Sequence, residues 1–165
     1  MGEILLTAIQ MGADTRSFNL LLIDDEEHDR FLFGTALRET GLKIELFEAT
    51  DGYAGLRYIF GDGQYAERHK YPFPDIVFLD IKMPGIDGFD VLRKIRADPK
   101  TKWLPVMVLS NSELLSDVQA AYAFGANAFH RKPATYHRLV ELLRSVLTPW
   151  QDTFSGLGER KSDGM

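Results

Sequence analysis

The 165-residue chain has no cysteine, so disulfides, thiolate zinc sites and cysteine nucleophiles are excluded. Basic charge is in short supply, with 19 Lys and Arg against 24 Asp and Glu and a net charge of −5. That balance argues against general affinity for nucleic-acid backbones or anionic membranes. Long hydrophobic runs are missing too: Ile4-Leu5-Leu6 is too short for a membrane span, and no Lys or Arg precedes it as in a signal peptide. Internal repeats and low-complexity stretches are also absent. What is present is ordinary globular composition, 45% hydrophobic and 26% charged. Length and composition predict one soluble, cytoplasmic domain. The expected organisation is an N-terminal extension over 1–17, a domain over 18–150 and a flexible tail over 151–165.

Short continuous apolar runs punctuate the chain. Phe18 to Ile23, Asp75 to Asp80 and Pro105 to Ser110 read as strands buried on both faces. Lys43 to Glu48 alternates, as a strand with one wetter face does. Asn127 to Arg131 is a fifth, short strand. Between the runs lie segments of helical period, ending with Leu139, Val140, Leu142, Leu143, Val146, Leu147 and Trp150 in the last one. Strand and helix alternate five times, which implies a mainly parallel α/β sheet covered by helices on both faces. The irregular stretch 61–74 interrupts this order. Its Tyr65, Tyr71 and Phe73 read as local packing rather than a partner site, and the four histidines as surface or packing residues.

In an open parallel sheet, ligands bind beyond the carboxyl ends of the strands. The residues ending the strands are therefore the candidates. The first strand ends in Asp24-Asp25-Glu26, the third in Asp80, the fourth in Ser110 and the fifth in Lys132-Pro133. Several carboxylates, one hydroxyl and one ammonium would converge. Two carboxylates 4 Å apart repel by about 4 kcal/mol at an effective dielectric near 20, more than one lysine can neutralise across the cluster. A hard divalent cation such as Mg²⁺ would relieve this and keep Asp80 ionised as a nucleophile. Ser110 and Lys132 would then serve an incoming phosphoryl oxygen. Each residue also has a plainer reading: Asp25 as a helix N-cap, Ser110 as a capping box with Glu113, Asp80 as a solvated strand end.

The segments Leu-Leu-Ile-Asp24-Asp25-Glu26, Phe-Leu-Asp80-Ile-Lys-Met-Pro84-Gly85-Ile-Asp-Gly88, Val-Leu-Ser110 and Arg-Lys132-Pro133 resemble the receiver domain of bacterial two-component response regulators. The resemblance runs from about Phe18 to Leu147. It implies a doubly wound, flavodoxin-like fold: a five-stranded parallel sheet in order 2-1-3-4-5 with five helices. By this likeness Asp80 is the phosphoacceptor, served by a sensor histidine kinase. Asp25, Asp80 and the backbone carbonyl of Lys82 hold Mg²⁺, with Asp24 in support. Ser110 and Lys132 bind the phosphoryl group, Phe129 is the aromatic switch, and Pro133 is expected in the cis form. The Lys82 side chain and Ser112 occupy the positions that tune phosphoryl lifetime, and Lys82 is expected to pair with the phosphoryl group or a nearby acid. The long 61–74 stretch is similar to stand-alone receivers paired with bacterial phytochrome kinases. Output would pass to a downstream protein target or phosphotransfer protein, or through a homodimer in which Leu147 or Trp150 takes part.

Two other functions share parts of this pattern. An aspartate-nucleophile phosphatase of the haloacid-dehalogenase type would want a second Asp two residues after Asp80, where Lys82 stands. A flavodoxin-like cofactor binder would want a phosphate-cradling first loop, where the acidic Asp24-Asp25-Glu26 stands.

Overall fold

The computed structural model describes the backbone of residues 17–160 and the side chains of residues 17–153. Five strands form one sheet: β1 (Phe18–Ile23), β2 (Ile44–Ala49), β3 (Ile76–Leu79), β4 (Val106–Ser110) and β5 (Ala128–Arg131). The order is β2-β1-β3-β4-β5, and every neighbouring pair is parallel. Among the described residues, five α-helices connect and flank them: α1 (Glu27–Glu39), α2 (Gly52–Phe60), α3 (Gly88–Ala97), α4 (Leu115–Ala123) and α5 (Tyr136–Arg160). This is the doubly wound order that the resemblance implies.

Strand composition explains the layers. β1, β3 and β4 are buried at every position, so both faces must be covered. Alternate side chains then enter two separate cores. Leu21, Ile23, Val77, Leu79 and Val108 pack with α2, α3 and part of α4 on one face. Leu20, Leu22, Ile76, Phe78 and Met107 pack with α1 and α5 on the other. β2 lies at the sheet edge with a mixed burial pattern, which accounts for its alternating sequence.

The 61–74 stretch is ordered by a few specific contacts. Gly61 closes α2 in the left-handed region, at φ 70°, where a Cβ would be strained. Arg68 then donates from Nη1 to the carbonyls of Tyr58 and Tyr71 and from Nη2 to that of Ile59. The rings of Tyr65 and Tyr71 meet that of Tyr58 tilted and edge-on, and the Tyr58 hydroxyl donates to the Pro72 carbonyl. The local-packing reading of Tyr65 and Tyr71 matches these contacts.

The expected extension 1–17 lies outside the described residues apart from Ser17. The last helix runs past the expected domain end at 150 and reaches Arg160 through Pro149. Proline removes one amide from the helical ladder, which the flanking turns tolerate here. Residues 161–165 of the expected tail also lie outside the described residues. Leu147 is fully buried in the core of this chain, so it is not available to a dimer. Trp150 packs partly against the same core. Among the described residues, no helix is long and apolar enough to cross a membrane.

Candidate functional site

The site forms where β1, β3, β4 and β5 end together. Parallel pairing sets the depth: Ile23 sits beside Leu79, and the Asp80 amide donates to the Ile23 carbonyl at 3.0 Å. Asp24 and Asp80 therefore emerge side by side, both almost fully buried. Ser110 is the last residue of β4, and the Lys132 amide donates to its carbonyl at 2.8 Å. That bond carries Lys132 over the same end of the sheet. Gly88 makes this packing feasible at the start of α3, because an added Cβ would lie 2.4 Å from the Asp80 carbonyl oxygen.

Lys132 is the centre of the polar cluster. Its Nζ donates to Asp24 Oδ2 at 2.8 Å, Asp29 Oδ2 at 2.7 Å and Asp80 Oδ2 at 3.1 Å. The other Asp24 oxygen accepts from the Glu26 amide, and Asp80 Oδ1 accepts from the Lys82 amide. Burial alone would lower the Lys132 pKa, but the hydrogen bonds of Asp24 and Asp29 and the charge of Asp80 override it and raise the value. Asp80 moves up from the usual carboxylate range because burial disfavours its charge. The Lys82 amide and Lys132 oppose that rise, and Asp24 adds to it.

This arrangement fits a divalent cation. Asp24, Asp25 and Asp80 each offer a carboxylate oxygen, all within 4.8 Å of one another. Two unit charges at that separation repel by about 3.5 kcal/mol at an effective dielectric of 20. Asp25 Oδ1 is buried and has no hydrogen-bond partner, a costly condition that a cation would relieve. An all-oxygen donor set selects a hard metal over a soft one. The plainer readings do not hold. The N-cap of α1 is Glu26, not Asp25. Helix α4 starts at Leu115, and Glu113 pairs with Arg131 instead of forming a capping box with Ser110.

The remaining expected residues fall around this core. Ser110 is fully buried, and its Oγ accepts from the Ser112 amide at 3.2 Å. Phe129 on β5 is partly buried against the α3-side core, and its amide donates to the Tyr122 hydroxyl. The Lys82 side chain pairs with Asp117 at 3.1 Å. Ser112 Oγ donates to that same Asp117 oxygen. The peptide bond before Pro133 is trans, against the cis form expected from the resemblance, since no cis bond occurs among the described residues. Trans is the intrinsically preferred isomer, and the Lys132 amide is anchored to Ser110 without any isomerisation.

Asp29 and Asp117 are the site residues that sequence reasoning missed. Both sit in the first turn of a helix, where an acid reads as a complement to the helix dipole. Spacing offers one signal for Asp29: it lies four residues after Asp25, close enough for both to reach the strand ends. For Asp117 no local signal exists, because its partner Lys82 comes from a different loop.

Comparison with known proteins agrees with this geometry. Residues 20–144 match the family model for the response regulator receiver domain. The chain is 29% identical to Response regulator Rcp1 of Synechocystis over 81% of its own length and 89% of that protein. Among solved structures it is similar to response regulator RPA3017, described in red light signalling of R. palustris. That match has a TM-score of 0.75 and 34% identity and covers 79% of this chain and 91% of that one. It is also similar to the phosphorylated cyanobacterial phytochrome response regulator RcpA, at TM-score 0.76 and 29% identity, covering 83% and 96% of the two chains. A solved form of Rcp1 holds Mn²⁺, in keeping with a divalent-cation site in this fold. Motifs, topology and relatives agree, and the chain belongs to the response regulator receiver family, as a two-component signalling protein.

Proposed function

We propose that Asp80 is the phosphoacceptor, and that this receiver takes its phosphoryl group from a sensor histidine kinase of the phytochrome type. The observation that carries the first part is the convergence of Asp80 with Asp24, Asp25 and Lys132 at one end of the sheet. Asp25, Asp80 and the backbone carbonyl of Lys82 would hold Mg²⁺, with Asp24 in support. When bound, the metal neutralises the carboxylates and shields the negative charge of the incoming phosphoryl group.

The chain's own residues do the rest. An ionised Asp80 oxygen forms a bond to phosphorus as the bond from phosphorus to the kinase histidine nitrogen breaks. The nitrogen keeps that electron pair. Lys132 exchanges its contact with Asp80 for one with a phosphoryl oxygen, and the Ser110 hydroxyl donates to another. Phe129, next to Tyr122 and α4, transmits the change to the α4–β5–α5 surface. That surface contacts a downstream protein target or a phosphotransfer protein, or a second copy of the chain. The kinase assignment rests on the similarity to RPA3017 and RcpA, which are described in red-light and phytochrome signalling. A phosphatase of the haloacid-dehalogenase type is disfavoured by Lys82, which stands where that chemistry wants an acid and is paired to Asp117. The acidic first loop disfavours a flavodoxin-like cofactor binder.

Incubation with Mg²⁺ and acetyl phosphate, followed by intact-mass measurement, tests the acceptor. One added phosphoryl group, lost in Asp80→Asn, is the expected result. Unchanged labelling in Asp80→Asn, or rapid multiple turnover of phosphate esters, would overturn it. Transfer from an autophosphorylated phytochrome-type kinase, faster than from an unrelated sensor kinase, tests the partner.

A further inference from the structure

We propose that Asp29 is a positioning residue of the metal site: it keeps the Lys132 ammonium paired while Asp24 and Asp80 are given over to a divalent cation. The inference deepens the functional reading above and rests on its metal site.

The carboxylate oxygens at the end of the sheet are already committed. Asp24 Oδ1 accepts from the Glu26 amide and Asp80 Oδ1 from the Lys82 amide. The remaining oxygens, Asp24 Oδ2 and Asp80 Oδ2, both accept from Lys132 Nζ. Asp25 Oδ1 alone of the cluster is buried with no hydrogen-bond partner. A carboxylate oxygen can accept twice, but an ammonium and a divalent cation on the same oxygens repel each other. Lys132 and the cation therefore compete for Asp24 and Asp80, and the ammonium has to give ground for the cation to enter.

Lys132 cannot give ground into water. Its side chain is only 11% exposed, and a buried ammonium without an anion is strongly disfavoured. Asp29 supplies the anion. It accepts from Lys132 Nζ at 2.7 Å, yet it is not one of the three acids whose oxygens gather to hold a metal. An ammonium has three N–H groups, and here they meet Asp24, Asp29 and Asp80. A cation draws on Asp24 and Asp80, and phosphorylation consumes an oxygen of Asp80. Asp29 is the one acceptor of the three that neither event takes. Its position is also fixed against the site. It lies in the first turn of α1, and the next residue, Arg30, donates from Nη1 to the Asp24 carbonyl at 2.9 Å. The first turn of α1 thus holds the end of β1 with one side chain and the ammonium with the other.

Mn²⁺ binding to the metal-stripped full chain, read from the EPR signal of the free ion, is the test. Four proteins are compared: wild type, Asp29→Asn, Lys132→Met and the double variant. Asp29→Asn is expected to weaken Mn²⁺ binding about tenfold, because Lys132 is then left with Asp24 and Asp80 alone. Lys132→Met is expected to tighten binding by removing the competing cation. In that background Asp29→Asn should cost only about twofold, the screened pull of one partly exposed charge. A loss confined to proteins that carry Lys132 is a result that neither charge at a distance nor a merely structural role would give. Asp29→Glu, which keeps the carboxylate, is expected to recover most of the affinity. An Asp29→Asn loss of the same size in both backgrounds, or no loss at all, overturns the proposal. If Lys132→Met does not fold, Lys132→Gln takes its place with the same expected pattern. Absence of Mn²⁺ binding to the wild type, or binding unaffected by Asp25→Asn, would instead overturn the metal site in the functional reading, and this proposal with it.

Discussion

Replacing Lys132 with methionine puts the electrostatics of the site to a quantitative test. The ammonium contacts three carboxylates at 2.8, 2.7 and 3.1 Å, and its side chain is only 11% exposed. Methionine fills a similar volume with no charge. Asp24 and Asp80 then remain buried beside Asp25 without their cation. Removing one partner of a buried pair costs about 3–5 kcal/mol. At about 2–4 °C per kcal/mol for a chain of this size, the lower bound is a fall in Tm of roughly 6–12 °C. The pH dependence has a definite sign. The folded-state pKa of Lys132 is raised, so its contribution is fully present below the ordinary lysine value and is lost only as pH rises through the folded value. The whole loss should therefore appear at neutral pH. Mg²⁺ should return much of it, since a bound divalent cation supplies the missing charge. At about 100 times its dissociation constant, a ligand stabilises by about 2.7 kcal/mol. The assay is urea unfolding of wild type and Lys132→Met, each with EDTA and with Mg²⁺. The expected pattern is a large deficit in EDTA that shrinks with Mg²⁺. A deficit below about 1 kcal/mol would show that solvent screens the cluster, as for surface pairs. Equal stabilisation of both proteins by Mg²⁺ would equally refute the reasoning.

Three further outcomes are expected. Asp80→Asn should be more stable than wild type in EDTA at neutral pH. Burial raises the folded pKa of Asp80, so its stability contribution is present below the unfolded value and lost as pH rises through the folded one. Denaturant unfolding across pH checks this, with the gap closing in acid. Gly88→Ala should cost about 1–3 kcal/mol and weaken Mg²⁺ binding, because its Cβ meets the Asp80 carbonyl and the Ile81 backbone at 2.4 Å. A thermal melt and a metal titration measure both effects. Arg68→Ala should release the 61–74 stretch by removing three hydrogen bonds to carbonyls. Faster limited proteolysis there, with phosphoryl labelling intact, is the expected readout.

The sheet was legible because its central strands are uniformly apolar and short. A run such as Asp75 to Asp80 cannot be an amphipathic helix, and burial on both faces demands helices on each side. The main site residues were legible because parallel strands deliver their last residues to one end. Asp25, Asp80, Ser110 and Lys132 needed only that rule. What stayed hidden depends on pairings between elements far apart in sequence. Asp117 meets Lys82, and Asp29 meets Lys132, only after the helices dock. Glu113 looked like a capping-box partner by spacing, yet Arg131 on the neighbouring strand captures it. The continuation of α5 past 150 is likewise set by context rather than by local signals.

The central claim is that the acidic cluster binds a divalent cation and thereby makes Asp80 the acceptor. Phosphoryl incorporation from acetyl phosphate, followed by intact mass across a Mg²⁺ titration, tests it most directly. Wild type should gain one phosphoryl group with a saturable dependence on Mg²⁺. Asp25→Asn should require far more Mg²⁺ for the same extent, and Asp80→Asn should gain none. Labelling of wild type that is equally fast in EDTA, or that is unaffected by Asp25→Asn, would contradict the account.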